Sequence, residues 1–212
     1  MRSIFIFFSA CILTLSACDN EPVSQSENWQ QLFNGRDLKG WTPKFTGLAS
    51  GENYLETFRL EDGMLRVSYE NWDSLGGVFG HLVYKSSYST YKLRAEYRFV
   101  DEQVAKSPEW AYANNGLMLH SQPAETMTLN QDFPLSLEFQ LLGQREAGVD
   151  RPCGNLCTPG SAVKVEGQVR TEHCLSGFAG PTIPLDQWVV AEAVVFGDSI
   201  IHHIVNGDTV LT

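Results

Sequence analysis

The feature that most constrains the fold is the alternation of polar and apolar residues in two short segments, residues 115–120 (NGLMLH) and 135–141 (LSLEFQL). Side chains alternate faces along a β-strand, so Glu138 and Gln140 share one side of the second segment. The opposite side is predicted to point into a core, and it carries Leu135, Leu137, Phe139 and Leu141. Both segments therefore predict strands with one apolar face and one face bearing carboxylate, amide and imidazole groups. Such a face is compatible with a carbohydrate site and equally with an ordinary solvated surface.

Further strand patterns, and almost no helical period, follow along the chain. Residues 91–99 alternate apolar and charged at every step, which predicts a half-buried antiparallel strand. Asp62-Gly63 predicts a hairpin turn within residues 58–67. Other strand-like segments occupy residues 77–84, 162–166, 188–196 and 200–205. Regular spacing and turns rich in Gly and Asn predict an all-β jelly-roll sandwich of two antiparallel sheets. Asn206-Gly207 predicts another hairpin turn, and the short run after it leads us to expect that C-terminal strands are missing from this sequence.

The first 28 residues predict export and anchoring. Arg2 precedes an apolar run that is too short to span a bilayer and typical of a signal peptide. The run ends in Leu-Ser-Ala-Cys at residues 15–18, which resembles the lipobox of bacterial lipoproteins, where the cysteine is lipidated. We expect a signal peptide over residues 1–17, a polar linker over 18–28 and the folded domain over 29–212. Lipidated Cys18 would anchor the domain in the bacterial cell envelope, facing the periplasm. The alternative is an ordinary signal peptide in which Cys18 is incidental.

The net charge excludes one class of binding partner, and the cysteines predict disulfide pairing. A formal net charge of −10 without a basic cluster argues against nucleic acid. Cys153, Cys157 and Cys174 remain after the leader, and an exported protein can keep disulfides. We prefer the pair Cys157–Cys174, with Cys153–Cys157 as the alternative. A zinc site that combines these cysteines with His173 lacks a paired CxxC spacing.

Residues 32–41 (LFNGRDLKGW) resemble the opening of the 3-keto-disaccharide hydrolase family, once described as a domain of unknown function. Further segments similar to this family follow in the same order at residues 91–99, 114–120, 137–143, 155–160 and 188–207. The resemblance therefore covers nearly all of the chain after residue 28. The resemblance implies a concanavalin A-like jelly roll that acts on glycosides already oxidised to a ketone at C3. It also implies a separate sugar 3-dehydrogenase upstream, since this chain has no dinucleotide-binding fingerprint. No cofactor is evident, and a metal requirement stays open.

The implied chemistry needs few groups. A ketone at C3 acidifies the C2 proton, so a base can remove it and expel the C1 substituent, after which water adds to the unsaturated sugar. This path needs one base, donors for the developing enolate and an acid for the leaving oxygen. It does not need the two carboxylates of ordinary glycosidases. Where some glycosidases of this fold carry Glu-x-Asp-x-x-Glu, residues 138–143 read EFQLLG and hold one carboxylate.

These needs lead to specific hypotheses for the site residues. We expect Glu138 or His120 to be the base and the other to be the acid. Asn115 and Gln140 are expected to hold sugar hydroxyls or the enolate oxygen, and His173 to lie in a neighbouring loop.

Aromatic and histidine residues outside these two segments are interpreted differently from one another. Trp110, with Tyr112, is expected to offer a surface on which a sugar stacks. His202 and His203 occupy opposite faces of a strand, which indicates structural roles.

Two other functions remain compatible with the sequence. One is a non-catalytic carbohydrate-binding lipoprotein, since folds of this class also serve binding modules. The other is a structural envelope lipoprotein that binds protein partners through its sheet edges.

Overall fold

Two four-stranded antiparallel sheets dominate the computed structural model, which describes residues 28–178 and 180–212. The predicted signal peptide, Cys18 and nearly all of the polar linker lie outside the described residues. Residues 32–212 form one compact unit. Within the described ranges, no helix has the length and apolar character needed to cross a membrane.

Strands account for most of the regular structure, with three single-turn 3-10 helices at Tyr54–Glu56, Glu109–Ala111 and Ala124–Thr126. In chain order the strands are β1 (Trp41–Phe45), β2 (Phe58–Glu61), β3 (Met64–Val67), β4 (Gly80–Tyr84), β5 (Thr90–Tyr97), β6 (Asn114–Leu119), β7 (Leu137–Leu142), β8 (Asn155–Cys157), β9 (Val163–Val165), β10 (Gln168–Arg170), β11 (Cys174–Leu175), β12 (Val189–Phe196), β13 (Ile200–Val205) and β14 (Asp208–Leu211).

The two large sheets form the sandwich. The first, called the site sheet, has the order β11-β8-β7-β6, and the second, called the back sheet, has the order β14-β13-β12-β5. Their inner faces pack against each other around a main core, which includes Leu119, Phe139, Leu141, Ala191, Ala193 and Val195. All these side chains are nearly inaccessible to solvent, so burial of their apolar area stabilises the pairing of the sheets. The predicted all-β jelly-roll sandwich is confirmed.

Two predicted hairpins form through left-handed backbone conformations at their turns. Asp62 and Gly63 have φ of 52° and 77°, and Asn206 and Gly207 have φ of 52° and 92°. Positive φ at both central residues is the requirement of a type I′ turn, whose twist matches that of paired strands. Glycine meets this requirement without a steric cost, and Asn or Asp does so at a small one.

The apolar row predicted over residues 135–141 is largely correct. Phe139 and Leu141 are buried and Leu137 is half-buried, but Leu135 is 50% exposed. The prediction for Leu135 was wrong because β7 begins only at Leu137. Before that point the backbone N–H of Ser136 donates to Pro159 O, outside the regular ladder.

His203 belongs to the core, while its neighbour His202 faces the other side of β13. The His203 ring is fully buried and stacks on Phe139 with a centroid separation of 4.1 Å. Its Nδ1 lies 3.0 Å from Gly154 O. Burial lowers the pKa of His203 to about 4, so the ring is neutral near pH 7.

The three cysteines are divided between a disulfide and a buried thiol. Cys157 and Cys174, which are direct partners in the β8–β11 ladder, form a disulfide. Cys153 is free and buried, with its Sγ 3.4 Å from the Tyr97 hydroxyl. Two of the three sulfurs are therefore not available to a zinc ion. Within the described residues no group of three or more His, Cys, Asp or Glu is placed to hold a metal ion.

Candidate functional site

The outer side of the site sheet carries a row of polar groups. Directly paired residues of antiparallel strands share a face. Pairs connect Gly116 with Gln140, Met118 with Glu138, Gln140 with Asn155, and Glu138 with Cys157. We call this side the polar face, and it comprises Asn114, Gly116, Met118, Glu138, Gln140, Asn155 and Cys157.

Asn115 does not lie on the polar face, which differs from the sequence-based expectation. The register pairs Asn115 with Leu141, and it is Asn114 that pairs with Leu142 and shares the face of Gln140. Neighbouring residues of a strand point to opposite faces, so only one of two consecutive asparagines can face Glu138. The structure therefore places Asn114, which the sequence analysis had not chosen, in the position expected for Asn115.

Glu138 is a buried carboxylate without a partner among the described residues. Its side chain is 8% exposed, and burial raises its pKa to about 7. Within residues 28–178 and 180–212 it has no hydrogen bond or ion pair. The carboxylate reaches across the neighbouring strand at Gly116, where a Cβ would come 2.2 Å from Oε1. Glycine at this position therefore leaves the space that the carboxylate occupies.

Amide side chains extend the polar face on both sides of Glu138. Gln140 Nε2 lies 3.5 Å from Asn114 Oδ1, and Asn114 Nδ2 donates to Trp110 O at 2.9 Å. Asn155 Nδ2 donates to Pro152 O at 2.9 Å, while its buried Oδ1 has no partner within the described residues. These amides are held in fixed orientations, and together they offer both donors and acceptors to a hydroxyl-rich ligand.

A row of aromatic rings, called the aromatic row, links Trp110, next to edge strand β6, with His173, next to edge strand β11. Its centroid separations are 5.8 Å from Trp110 to Phe79, 5.0 Å from Phe79 to Phe133, and 5.6 Å from Phe133 to His173. Trp110 lies at the Asn114 end of β6, whereas His173 directly precedes β11 at the other edge. None of these rings belongs to the core between the sheets, as far as the described residues define it, and the Trp110 end of the row is tied to the polar face through Asn114.

His81 joins this aromatic row and was missed by the sequence analysis. Its ring meets Phe133 edge-on at 5.8 Å, and its Nε2 lies 2.7 Å from Asp132 O. A carbonyl oxygen only accepts, so Nε2 carries the proton and Nδ1 is the acceptor in the neutral ring. Burial lowers the pKa of His81. The sequence offered no signal for this role, because His81 stands inside an otherwise ordinary apolar strand segment.

The two histidines that the sequence analysis predicted for the site, His120 and His173, lie apart from Glu138 in the chain fold and are both exposed. His120 follows β6 with φ of 50°, and this left-handed conformation turns the chain out of the strand. Its exposed side chain makes no hydrogen bond, ion pair or ring contact with Glu138. His173 is exposed and meets Phe133 edge-on. A catalytic role for His120 stays a prediction.

Arg151 fixes the loop that carries Trp110, another role that the sequence did not reveal. Its Nη1 donates to Tyr112 O at 2.6 Å and to Gly143 O at 2.8 Å, and its Nη2 donates to Trp110 O at 3.0 Å. One guanidinium thus ties the start of β6 to the end of β7. Trp110, which is 51% exposed, is held beside the polar face with much of its ring free to contact a ligand.

The polar face presents one carboxylate among amides. A carboxylate with a pKa near 7 can act as a general base at neutral pH, because it is partly ionised and basic enough to take a proton. Among the described strands, only Glu138 places a carboxylate on this face, so the arrangement lacks the facing carboxylate pair of ordinary glycosidases. The geometry suits proton abstraction from a neutral, hydroxyl-bearing ligand.

Comparison with known proteins identifies a family. A family model described as a 3-keto-alpha-glucoside-1,2-lyase-like domain matches residues 28–212. No curated protein and no solved structure matches the chain.

Proposed function

Because the chain belongs to the family of 3-keto-alpha-glucoside-1,2-lyase-like domains, we propose that it cleaves 3-keto-glycosides by elimination across C1–C2 followed by hydration. The family supports the general activity, which is cleavage of a glycoside oxidised at C3. The observation that carries the finer mechanism is the single buried carboxylate of Glu138, which has a pKa of about 7 and no partner among the described residues.

Glu138 is the proposed base. Its carboxylate takes the proton from C2, the electron pair forms the C1–C2 double bond, and the C1–O bond breaks. The leaving oxygen takes a proton from an acid and departs as an alcohol. Water then adds to the unsaturated ketone, with its oxygen bonding to C1 and a proton returning to C2. The sum of the two steps is hydrolysis.

Glu138 suits the role of base better than His120. A base works best when its pKa lies near the working pH, and burial brings the carboxylate of Glu138 to that range. It is also surrounded by amides that can orient sugar hydroxyls, whereas His120 lies exposed beyond the end of β6. His120 remains the predicted acid.

Cleavage of a 3-keto-disaccharide in heavy water tests this proposal. Elimination and hydration place solvent deuterium at C2 of the released 3-keto sugar, whereas direct displacement at C1 leaves the C2 hydrogen in place. We expect cleavage with C2 deuteration by the unsubstituted chain, and neither above the no-enzyme background with Glu138→Gln. Near-normal turnover by a folded Glu138→Gln variant would refute the assignment of the base.

Sugar binding and the melting temperature, measured beside cleavage, separate an enzyme from the two alternative functions. A carbohydrate-binding lipoprotein would show saturable sugar binding with neither cleavage nor C2 exchange. A structural lipoprotein would show no shift of its melting temperature with either the 3-keto sugar or its unoxidised parent.

A further inference from the structure

An open cavity of about 530 Å³ lies beside the aromatic row, and we propose that it binds the sugar that leaves in the reaction. This inference rests on the proposed function and adds a second subsite to it. The cavity is formed by the loop before β7, by the segment that follows β8 and by the residue that precedes β11. Its volume falls within the roughly 300–1,000 Å³ typical of small-molecule sites.

Two glutamine side chains hold the cavity wall in one shape. Gln131 Nε2 donates to Gln122 Oε1 and to Phe133 O, both at 2.8 Å. Gln122 Nε2 donates to Thr126 O at 2.8 Å, and Gln122 Oε1 also accepts from the backbone of Leu135 at 3.3 Å. The loop is therefore preorganised by its own amides, which lowers the entropic cost of ordering it around a ligand.

The cavity wall presents side chains that can bind a sugar. Phe133 presents an aromatic side chain, and the exposed side chains of Asp132 and His173 lie beside it. Asp132 Oδ1 accepts from Thr46 at 3.3 Å, and Oδ2 has no hydrogen bond within the described residues. A carboxylate accepts from hydroxyls, an imidazole can donate or accept, and a ring packs against an apolar sugar face. An uncharged polyol can use all three.

The position of the cavity matches the leaving part of the substrate. Leu135, in its wall, precedes Glu138 by three residues, which corresponds to about 10 Å of extended chain. Cys174, which follows His173 in the chain, pairs with Cys157, and Cys157 pairs with Glu138. The distance from Cys174 to Glu138 is therefore two strand spacings, which is also about 10 Å. A group bound in the cavity thus lies beyond contact with Glu138. The sugar across the broken bond is the part of a disaccharide that lies beyond the sugar losing its C2 proton.

Filling the cavity should affect substrates according to their leaving group. In Leu135→Trp, a larger side chain replaces one that already lies in the wall and is half exposed. We expect kcat/KM to fall at least tenfold for a 3-keto-disaccharide and to change less than twofold for methyl 3-ketoglucoside, whose leaving group is methanol. His173→Ala should shift kcat/KM in the same selective way.

Leu129→Trp is the matched control. Leu129 belongs to the same loop and is 56% exposed, but it does not line the cavity. This variant should treat both substrates as the unsubstituted chain does. Equal losses on both substrates in Leu135→Trp, or no loss on the disaccharide, would overturn the subsite.

A binding measurement separates failure of the subsite from failure of the proposed function. Glucose is added to the unsubstituted chain while the NMR signal of the His173 ring is recorded. We expect a saturable shift that Leu135→Trp abolishes. Absence of turnover on both substrates would refute the proposed function even where the shift is seen, whereas absence of the shift would refute the subsite even where turnover is normal.

Discussion

Replacing Glu138 by Gln should remove activity and at the same time stabilise the folded chain above pH 7. Burial raises the pKa of Glu138 from 4.5 to about 7, so the folded state binds the proton more tightly than the unfolded state does. Where the folded state binds more protons, the free energy of unfolding falls as the pH rises. Stability from this group is therefore fully present below pH 4.5 and is lost between pH 4.5 and about 7.

The size of this effect follows from the two pKa values. One pKa unit corresponds to about 1.4 kcal/mol, so ionising Glu138 in the fold costs about 3 kcal/mol. The amide introduced by Glu138→Gln cannot ionise, and any cost of burying it does not depend on pH. The unfolding free energy of the variant minus that of the parent should thus increase by about 3 kcal/mol between pH 4.5 and pH 8.

Urea denaturation of both proteins at several pH values measures this difference, and turnover of a 3-keto-disaccharide measures activity. We expect a loss of at least about 100-fold in turnover, the usual contribution of a general base. Glu192→Gln is the control, because Glu192 is also little exposed but lies 2.9 Å from Arg94 and 3.4 Å from Lys92. Its replacement removes an attractive partner and should lower stability at pH 8.

A stability difference between Glu138→Gln and the parent that stays constant from pH 4.5 to 8 would refute the reasoning. It would mean that the carboxylate is solvated or paired when ionised. Loss of activity in Glu138→Gln would not by itself support the raised pKa, since the proposed base depends on the same buried carboxylate.

Further predictions concern the space around Glu138, the disulfide and the core. Gly116→Ala should reduce kcat/KM about 100-fold with the fold kept by circular dichroism, because its Cβ would displace the Glu138 carboxylate; unchanged kinetics would contradict this. Replacing Cys157 and Cys174 together by Ala should lower the unfolding free energy in urea by about 3 kcal/mol, as expected for a 17-residue separation. Burial lowers the pKa of His203 from 6.5 to about 4, so its contribution to stability is lost as the pH falls through that window, by about 3 kcal/mol. His203→Phe should remove this acid sensitivity in urea titrations, and a variant as acid-sensitive as the parent would exclude His203 as its source.

Much of the fold could be predicted because its signals are local. Alternation in residues 91–99 and 137–141 defines which side of each strand is buried, and Asp62-Gly63 and Asn206-Gly207 define turns that need positive φ. Leu135 shows the limit of such patterns, since alternation in the sequence already includes Leu135, two residues before the strand begins. Strand ends depend on where the neighbouring ladder stops, which a single segment does not contain.

The site was only partly predictable, for a related reason. Asn114 and Asn115 have the same chemistry and adjacent positions, and the pairing register alone decides which one faces Glu138. A shift of one residue moves every side chain of a strand to the other face. His81 and Arg151 were not recognisable because their partners, Phe133 and the loop at Trp110, come from distant parts of the chain.

The sequence by itself determined that the chain forms two-faced strands and places a single carboxylate, Glu138, beside the amide Gln140 on one polar side. Those properties follow from side-chain order along one segment. Only the tertiary structure decided that rings from distant segments form the aromatic row, that Gly116 gives the carboxylate its space, and that Cys157 pairs with Cys174. The raised pKa of Glu138 is also a tertiary property, because desolvation is set by everything packed around the carboxylate and not by its neighbours in sequence.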